Sequence, residues 1–323
     1  MMADNISADV LFEACTAGNL ASLQRLLQEP AYITKALEME ERVDEDLPGL
    51  THCILNLSSM LNKAAVAGSS DTVRYLLSFA HTHDVPYEKL LLRDCIGSAI
   101  SSNNNVAVFK ELLAVKADII DFDMGHSGTP LSQAVAGNRN APLYSADRTP
   151  LVRFLLEGGA DPNRIQAPYD APGAYLQDAV RRSSLEVIEL LLQHGARIEQ
   201  SSAMHRAAEK GRIDVMELLL ERGADVNEQL VKNVWYSASY RTKFKKENGI
   251  VSDVSDDPRP KWSHETPLHY SVLHRQVEAT AWLVKNGADA NIADSKGWTP
   301  RDMATKMGDM GILEALTSAA GTE

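Results

Sequence analysis

Three stretches of this chain are versions of one phrase: LLEGGADPN at 155–163, LLERGADVN at 219–227 and LVKNGADAN at 283–291, with a partial form, LLQHGARIE, at 191–199. Self-similarity of this kind marks a stacked-repeat architecture, in which a unit cannot bury its apolar face alone and needs a neighbour to cover it. The phrase also describes its own local structure. An apolar ridge such as Trp282, Leu283 and Val284 suits one face of a short helix. Gly287 then supplies the left-handed conformation that ends a helix, and Asp289 and Asn291 favour the turn that follows.

A second phrase precedes the ridge. In TPLHYSVLH, starting at Thr266, the threonine is placed to cap a helix, Pro267 suits its first position, and Leu268 with Ser271 faces inward. Related phrases put the same inward slot at Leu11, Leu61, Ile96, Leu131, Leu176, Met204, Leu268 and, in the last unit, Arg301. Alternating short helices and turns of this kind predict an all-α solenoid. The TPLH and Gly-Ala-Asp-x-Asn phrases make the chain resemble ankyrin-repeat proteins, with about eight units from Asp9 to Leu316. The resemblance implies stacked helix-turn-helix units with short β-turn connections, and a concave face built from first helices and turn tips, where partners bind. Residues 1–323 are expected to form a single array. Arg301, replacing an apolar residue, fits a polar C-terminal cap.

Successive slots are separated by 50, 35, 35, 45, 28, 64 and 33 residues, against about 33 for an ankyrin unit. The first long step predicts an acidic loop over 38–59. The step of 45 places one insertion in the helix connection at 139–148 and a second in a Pro-rich turn containing Tyr169. The step of 28 implies a turn trimmed to a direct connection through residues 199–202. The step of 64 carries one long insertion over 228–265, in which Trp235, Tyr236, Tyr240 and Phe244 stand beside Arg241, Lys243, Lys245 and Lys246. An insertion of that length on a rigid scaffold commonly carries function, and four aromatic residues are unusual for a solvated linker.

Composition closes several alternatives. A formal charge of −12 opposes binding to nucleic acid, and no apolar run reaches the 18 or so residues needed for membrane insertion. The N-terminus shows no secretory signal, so the cytoplasm is the expected location, with the nucleus also open. Cys15, Cys53 and Cys95 lack metal or redox spacing and read as buried free thiols. No cofactor or metal site is expected, because phosphate-loop, HExxH, GxSxG and kinase signatures are missing. His205 and His269 fill the histidine slot of the phrase, where a structural hydrogen bond is the expected task.

Two functions follow as expectations. The first is protein recognition through the concave face and the 228–265 insertion. Tyr169, Tyr175, Arg181, Arg206, Trp235, Tyr236, Tyr240 and Tyr270 are its candidate binding residues, and the acidic balance favours a basic partner. The ankyrin geometry would set Asp178, Arg181, Arg206, Glu209, Tyr270 and His274 side by side on outward positions of three consecutive units. The second is a cofactor-independent enzyme or small-molecule binder of isomerase, cyclase or dehydratase type. It would have a pocket between the central repeats and the insertion, and Asp178, Glu209 or His274 as general acid or base.

Overall fold

The computed structural model describes residues 7–43, 51–90, 93–102, 105–124, 128–136, 148–164, 173–230 and 264–318. Its helices run in order: α1 (Asp9–Thr16), α2 (Leu20–Leu26), α3 (Pro30–Ala36), α4 (Asn56–Val66), α5 (Ser70–Thr82), α6 (Arg93–Ser101), α7 (Asn105–Val115), α8 (Pro130–Ala136), α9 (Thr149–Glu157), α10 (Ala174–Arg182), α11 (Leu185–Gln193), α12 (Ala203–Lys210), α13 (Ile213–Glu221), α14 (Pro267–Leu273), α15 (Val277–Lys285), α16 (Pro300–Met307) and α17 (Met310–Ser318). Two strands, β1 (Met39–Val43) and β2 (Thr51–Leu55), form an antiparallel pair. The fold is thus the all-α stack of helix-turn-helix units expected from the repeats.

The chain divides into two compact units, Met1–Ala134 with Glu157–Ala160, and Val135–Leu156 with Asp161–Glu323. Within the first, α1, α4 and α6 pack in one layer and α2, α5 and α7 in another. Within the second, α10, α12, α14 and α16 form one layer, and α11 packs on α13 as α15 packs on α17. Leu11, Leu61, Ile96, Leu131, Leu176, Met204 and Leu268 are all buried, whereas Arg301 is exposed on α16 and donates to the carbonyl of Leu316 at 3.4 Å. Threonines cap as the phrase implies. Thr266 and Thr299 each close a reciprocal capping box, with His269 and Asp302 respectively, and a proline occupies the first turn behind each.

The stretch 38–59, expected as an acidic loop, contains the β1–β2 hairpin and the start of α4. Met39 stands opposite Leu55 and Val43 opposite Thr51. The buried side chain of Asn56 closes the foot of the hairpin by donating to the carbonyl of Lys35 at 3.0 Å and to Glu40 at 3.1 Å. The charges that suggest a solvated loop are equally at home on a two-stranded hairpin, where both strands are edges. Cys53, on β2, is exposed, which corrects the expectation of three buried thiols; burial holds for Cys15 and Cys95 and pushes each thiol up to about 12. The insertion 139–148, apart from Arg148, and residues 231–263 of the 228–265 insertion lie outside the described residues.

Asparagine binds one unit to the next. Asn163 donates through Nδ2 to the carbonyl of Gly195 at 2.8 Å and accepts from the amide of Arg197 at 2.8 Å. Asn227 repeats the pattern on Gly287 at 2.9 Å and Asp289 at 2.8 Å. Both glycines are left-handed, with φ of 83° and 91°. The repeated turn thus supplies one half of the bond or the other: Asn163 and Asn227 donate, and the glycine carbonyls of Gly195 and Gly287 accept.

Candidate functional site

The first helices α10, α12 and α14 are neighbours in the second unit. They bring together Asp178 and Arg181 from α10, Arg206 and Glu209 from α12, and Tyr270 with His274 from α14 and its C-cap. The outward exposure expected of these positions needs correction. Arg206 and Glu209 are only 5% exposed and Tyr270 1%, while Asp178, Arg181 and His274 are half-buried. A buried polar seam takes the place of a solvated face, and Arg206 and Glu209 at its centre satisfy one another.

Arg206 organises the seam. Its Nη1 donates to the Glu209 carboxylate one helical turn along. With its amide carbonyl turned toward α12, Gln177 accepts from Arg206 Nε at 2.9 Å, from Nη2 at 3.1 Å and from the Ser202 hydroxyl at 3.1 Å. The guanidinium lies 5.9 Å from the centre of the Tyr270 ring, within cation–π range. The Tyr270 ring in turn meets His205 edge-on at 5.2 Å. One arginine thus joins three successive units. Gln177, adjacent to the Leu176 slot, was invisible to periodicity, which marks apolar positions and is silent on which polar neighbour an arginine will find.

Burial alone would raise the Glu209 carboxyl, but attraction and hydrogen bonding from Arg206, with smaller contributions from His274 and Lys210, bring it below the usual glutamate range. The Lys210 ammonium stands 3.5 Å from the second carboxylate oxygen. Glu209 is accordingly an ionised ion-pair partner, poorly placed to hold or release a proton at neutral pH. Arg181 contrasts with Arg206. Desolvation is the largest influence lowering its guanidinium, the like charge of Arg206 adds to it, and Asp178 and Glu209 oppose it. Its Nε is buried without a hydrogen-bond partner among the described residues.

Tyr175, expected to stand on the binding face, is only 4% exposed and is packed with the apolar side chains of α10. Tyr169, Trp235, Tyr236 and Tyr240 lie outside the described residues. His205 and His269 both make the structural hydrogen bonds expected of their slot. His269 Nδ1 accepts from the Thr266 amide at 3.0 Å, and Nε2 donates to the carbonyl of Trp298 at 3.0 Å. His205 does something further. Its Nε2 meets the carbonyls of Glu228 and Glu265, each at 3.0 Å, so a single buried N–H holds the chain where it leaves the array and where it returns. Gln229 reinforces the junction, donating to the carbonyls of His264 at 2.7 Å and Ala293 at 3.2 Å.

Among the described residues, no group of three or more His, Cys, Asp or Glu side chains is arranged to hold a metal ion, and no helix is long and apolar enough to cross a membrane.

The families described as "Ankyrin repeats (3 copies)" and "Ankyrin repeats (many copies)" match residues 141–229 and 257–304 respectively. A potassium channel of Arabidopsis thaliana, AKT1, is 39% identical over 59 residues, covering 18% of this chain and 7% of the channel. The human palmitoyltransferase ZDHHC13, and equally that of Pongo abelii, is 33% identical over 191 residues, covering 54% of this chain and 29% of the transferase. The chain therefore spans less than a third of the length of these relatives.

Proposed function

From the premise that this chain is an ankyrin-repeat protein, we propose that it is a protein-interaction module whose recognition surface is the 228–265 insertion together with the neighbouring first helices of the second unit. Ankyrin repeats generally mediate protein–protein interaction. The two kinds of relative, a channel and an acyltransferase, differ in activity and share with this chain only part of their length, as befits a recognition module carried by proteins of unlike chemistry.

The observation that carries the reading is the continuity of the repeat beneath the insertion. Asn227 binds Gly287 and Asp289 in the same way that Asn163 binds Gly195 and Arg197. The intervening chain is thus added to a scaffold that does not need it, and a long insertion that leaves the scaffold undisturbed is free to serve recognition. Trp235, Tyr236 and Tyr240 are the proposed anchors, since aromatic residues dominate binding hot spots. The net charge of −12 favours a partner that is basic overall.

Replacing Trp235, Tyr236 and Tyr240 together by alanine is the test. Partner proteins captured by the full chain and identified by mass spectrometry should be lost with the triple variant, while the melting temperature stays that of the parent. Capture that survives the triple substitution, or loss of folding in its place, overturns the assignment of the anchors.

A further inference from the structure

The two arginines at the centre of the second unit are unequally served. Arg206 uses Nε and Nη2 on Gln177 and Nη1 on Glu209, and lies over the Tyr270 ring. Arg181, close enough to feel the charges of Arg206, Asp178 and Glu209, makes no hydrogen bond or ion pair with the described residues, and its Nε is buried. An unmet donor on a charged group removed from water is costly. The charges of Asp178 and Glu209 favour the guanidinium, but neither carboxylate accepts a hydrogen bond from the buried Nε. The Glu209 carboxylate is occupied by Arg206 and approached by Lys210, and the Gln177 carbonyl, one turn before Arg181 on the same helix, is taken by Arg206 and Ser202. Arg182 adds another positive charge beside it.

We propose that Arg181 is the receptor for a carboxylate, an Asp or Glu side chain supplied by the protein partner. The inference rests on the protein-binding reading above and names the chemistry that reading leaves open. A carboxylate matches the planar fork of a guanidinium and supplies the acceptors that Arg181 lacks. Arg181 is half-buried as a residue, so an anion reaches it without dismantling the core. The surrounding low dielectric strengthens the pair once formed. The partner is thereby expected to be basic in general character and to carry one acidic residue where it meets α10. Arg206, already engaged by Gln177 and Glu209, serves as the wall of the subsite and not as its donor.

The probe is a capped glutamate, N-acetyl-glutamate N-methylamide, titrated into the full chain while the arginine Nε–Hε resonances are followed by NMR. The Arg181 resonance is assigned by its loss in Arg181→Lys. A saturable shift of that resonance is expected, with Arg206 little moved. The matching glutamine derivative should produce no shift, and Arg181→Gln should weaken the response of α10 backbone amides at least tenfold with an unchanged melting temperature. Absence of a shift, or an equal shift with the glutamine derivative, overturns the proposal. A larger response to inorganic phosphate overturns the choice of carboxylate. Because this readout needs no captured protein, an Arg181 response retained alongside failure of the Trp235, Tyr236 and Tyr240 test would sink the protein-binding reading and leave the anion site standing.

Discussion

Two junctions flank the α12–α13 pair and depart from the repeat in opposite directions. The incoming one is short, with 28 residues from Leu176 to Met204; the outgoing one is long, with 64 from Met204 to Leu268. The long junction keeps the asparagine bond to the next glycine turn. At the short junction the slot that holds Asn163 and Asn227 is filled by Glu199, which faces Arg197 of its own turn at 3.7 Å. Contact passes instead to Gln200, whose amide donates to the Glu228 carboxylate at 2.7 Å and whose side chain reaches the carbonyl of Gln229 at 3.2 Å. Added chain leaves the stacking intact, whereas removed chain must be compensated. Gln200 and Ser202 adopt left-handed backbone at φ of 59° and 60°, and Gly173 is required opposite them because a Cβ there would meet Ser201 at 2.4 Å. Such conformations cost on the order of 1 kcal/mol or more each. Among its described residues the long junction carries one such residue, His264 at φ of 46°, where the chain returns. Loop closure explains the lighter strain there, since lengthening a loop changes its entropy slowly while shortening it below its span forces strain.

The largest expected effect comes from Arg206→Ala. It strips the short junction of its α10–α12 hydrogen bonds and leaves Glu209 ionised in a buried position, so a loss of about 3–5 kcal/mol is expected in urea denaturation. A variant within about 1 kcal/mol of the parent would mean that Gln177 and Glu209 are solvated. At the long junction, His205→Ala leaves two carbonyls, of Glu228 and Glu265, without their shared donor. A loss of about 2–3 kcal/mol should follow, together with faster proteolysis between residues 228 and 265. Unaltered proteolysis would show that the feet of the insertion are held by Gln229 alone.

A milder comparison sets the asparagines against the residue that replaces them. Asn163→Ala and Asn227→Ala each remove two hydrogen bonds between units and should lower stability by about 1–2 kcal/mol. Glu199→Ala, at the equivalent place in the short junction, should change it by less than about 0.5 kcal/mol, as for exposed ion pairs generally. Equal losses at all three positions would erase the distinction drawn between the junctions.

Much of this architecture is legible in the chain. Leu176, Met204 and Leu268 occupy buried slots because a packed interior leaves apolar side chains nowhere else to go, and the Gly-Ala-Asp turns follow from backbone conformations that few residues accept. Slot spacing also locates both unusual junctions. The polar seam is less legible. A helical period tells which way Arg206, Glu209 and Tyr270 point from their own helices, yet whether that direction meets water depends on what the neighbouring helices supply, such as Gln177 from α10. The β1–β2 hairpin escapes for a related reason: a strand rich in Glu and Arg carries the same charges as a solvated loop, and pairing with residues 51–55 is a non-local fact. Cys53 goes with it, exposed where a lone cysteine is usually buried.

The smallest predicted effect is one of sign. Burial raises the Glu228 carboxyl above its ordinary value, and the nearby charges of Asp225 and Glu199 raise it further despite hydrogen bonds from Gln200. The folded state therefore disfavours its ionisation, so stability linked to Glu228 is fully present below the usual glutamate range and is lost as pH rises through the folded value. Glu209 runs the other way. Held below its ordinary value by Arg206, it contributes stability above the usual range that is lost as pH falls through the folded value. Glu228→Gln should therefore be more stable than the parent at pH 7, and the advantage should vanish toward pH 4. Glu209→Gln should be less stable at pH 7, with the deficit closing only in stronger acid. Urea midpoints measured across that range distinguish the two. If both variants drift in the same direction with pH, the ionised pair beside the short junction and the disfavoured carboxylate at the foot of the long one are not electrostatically distinct.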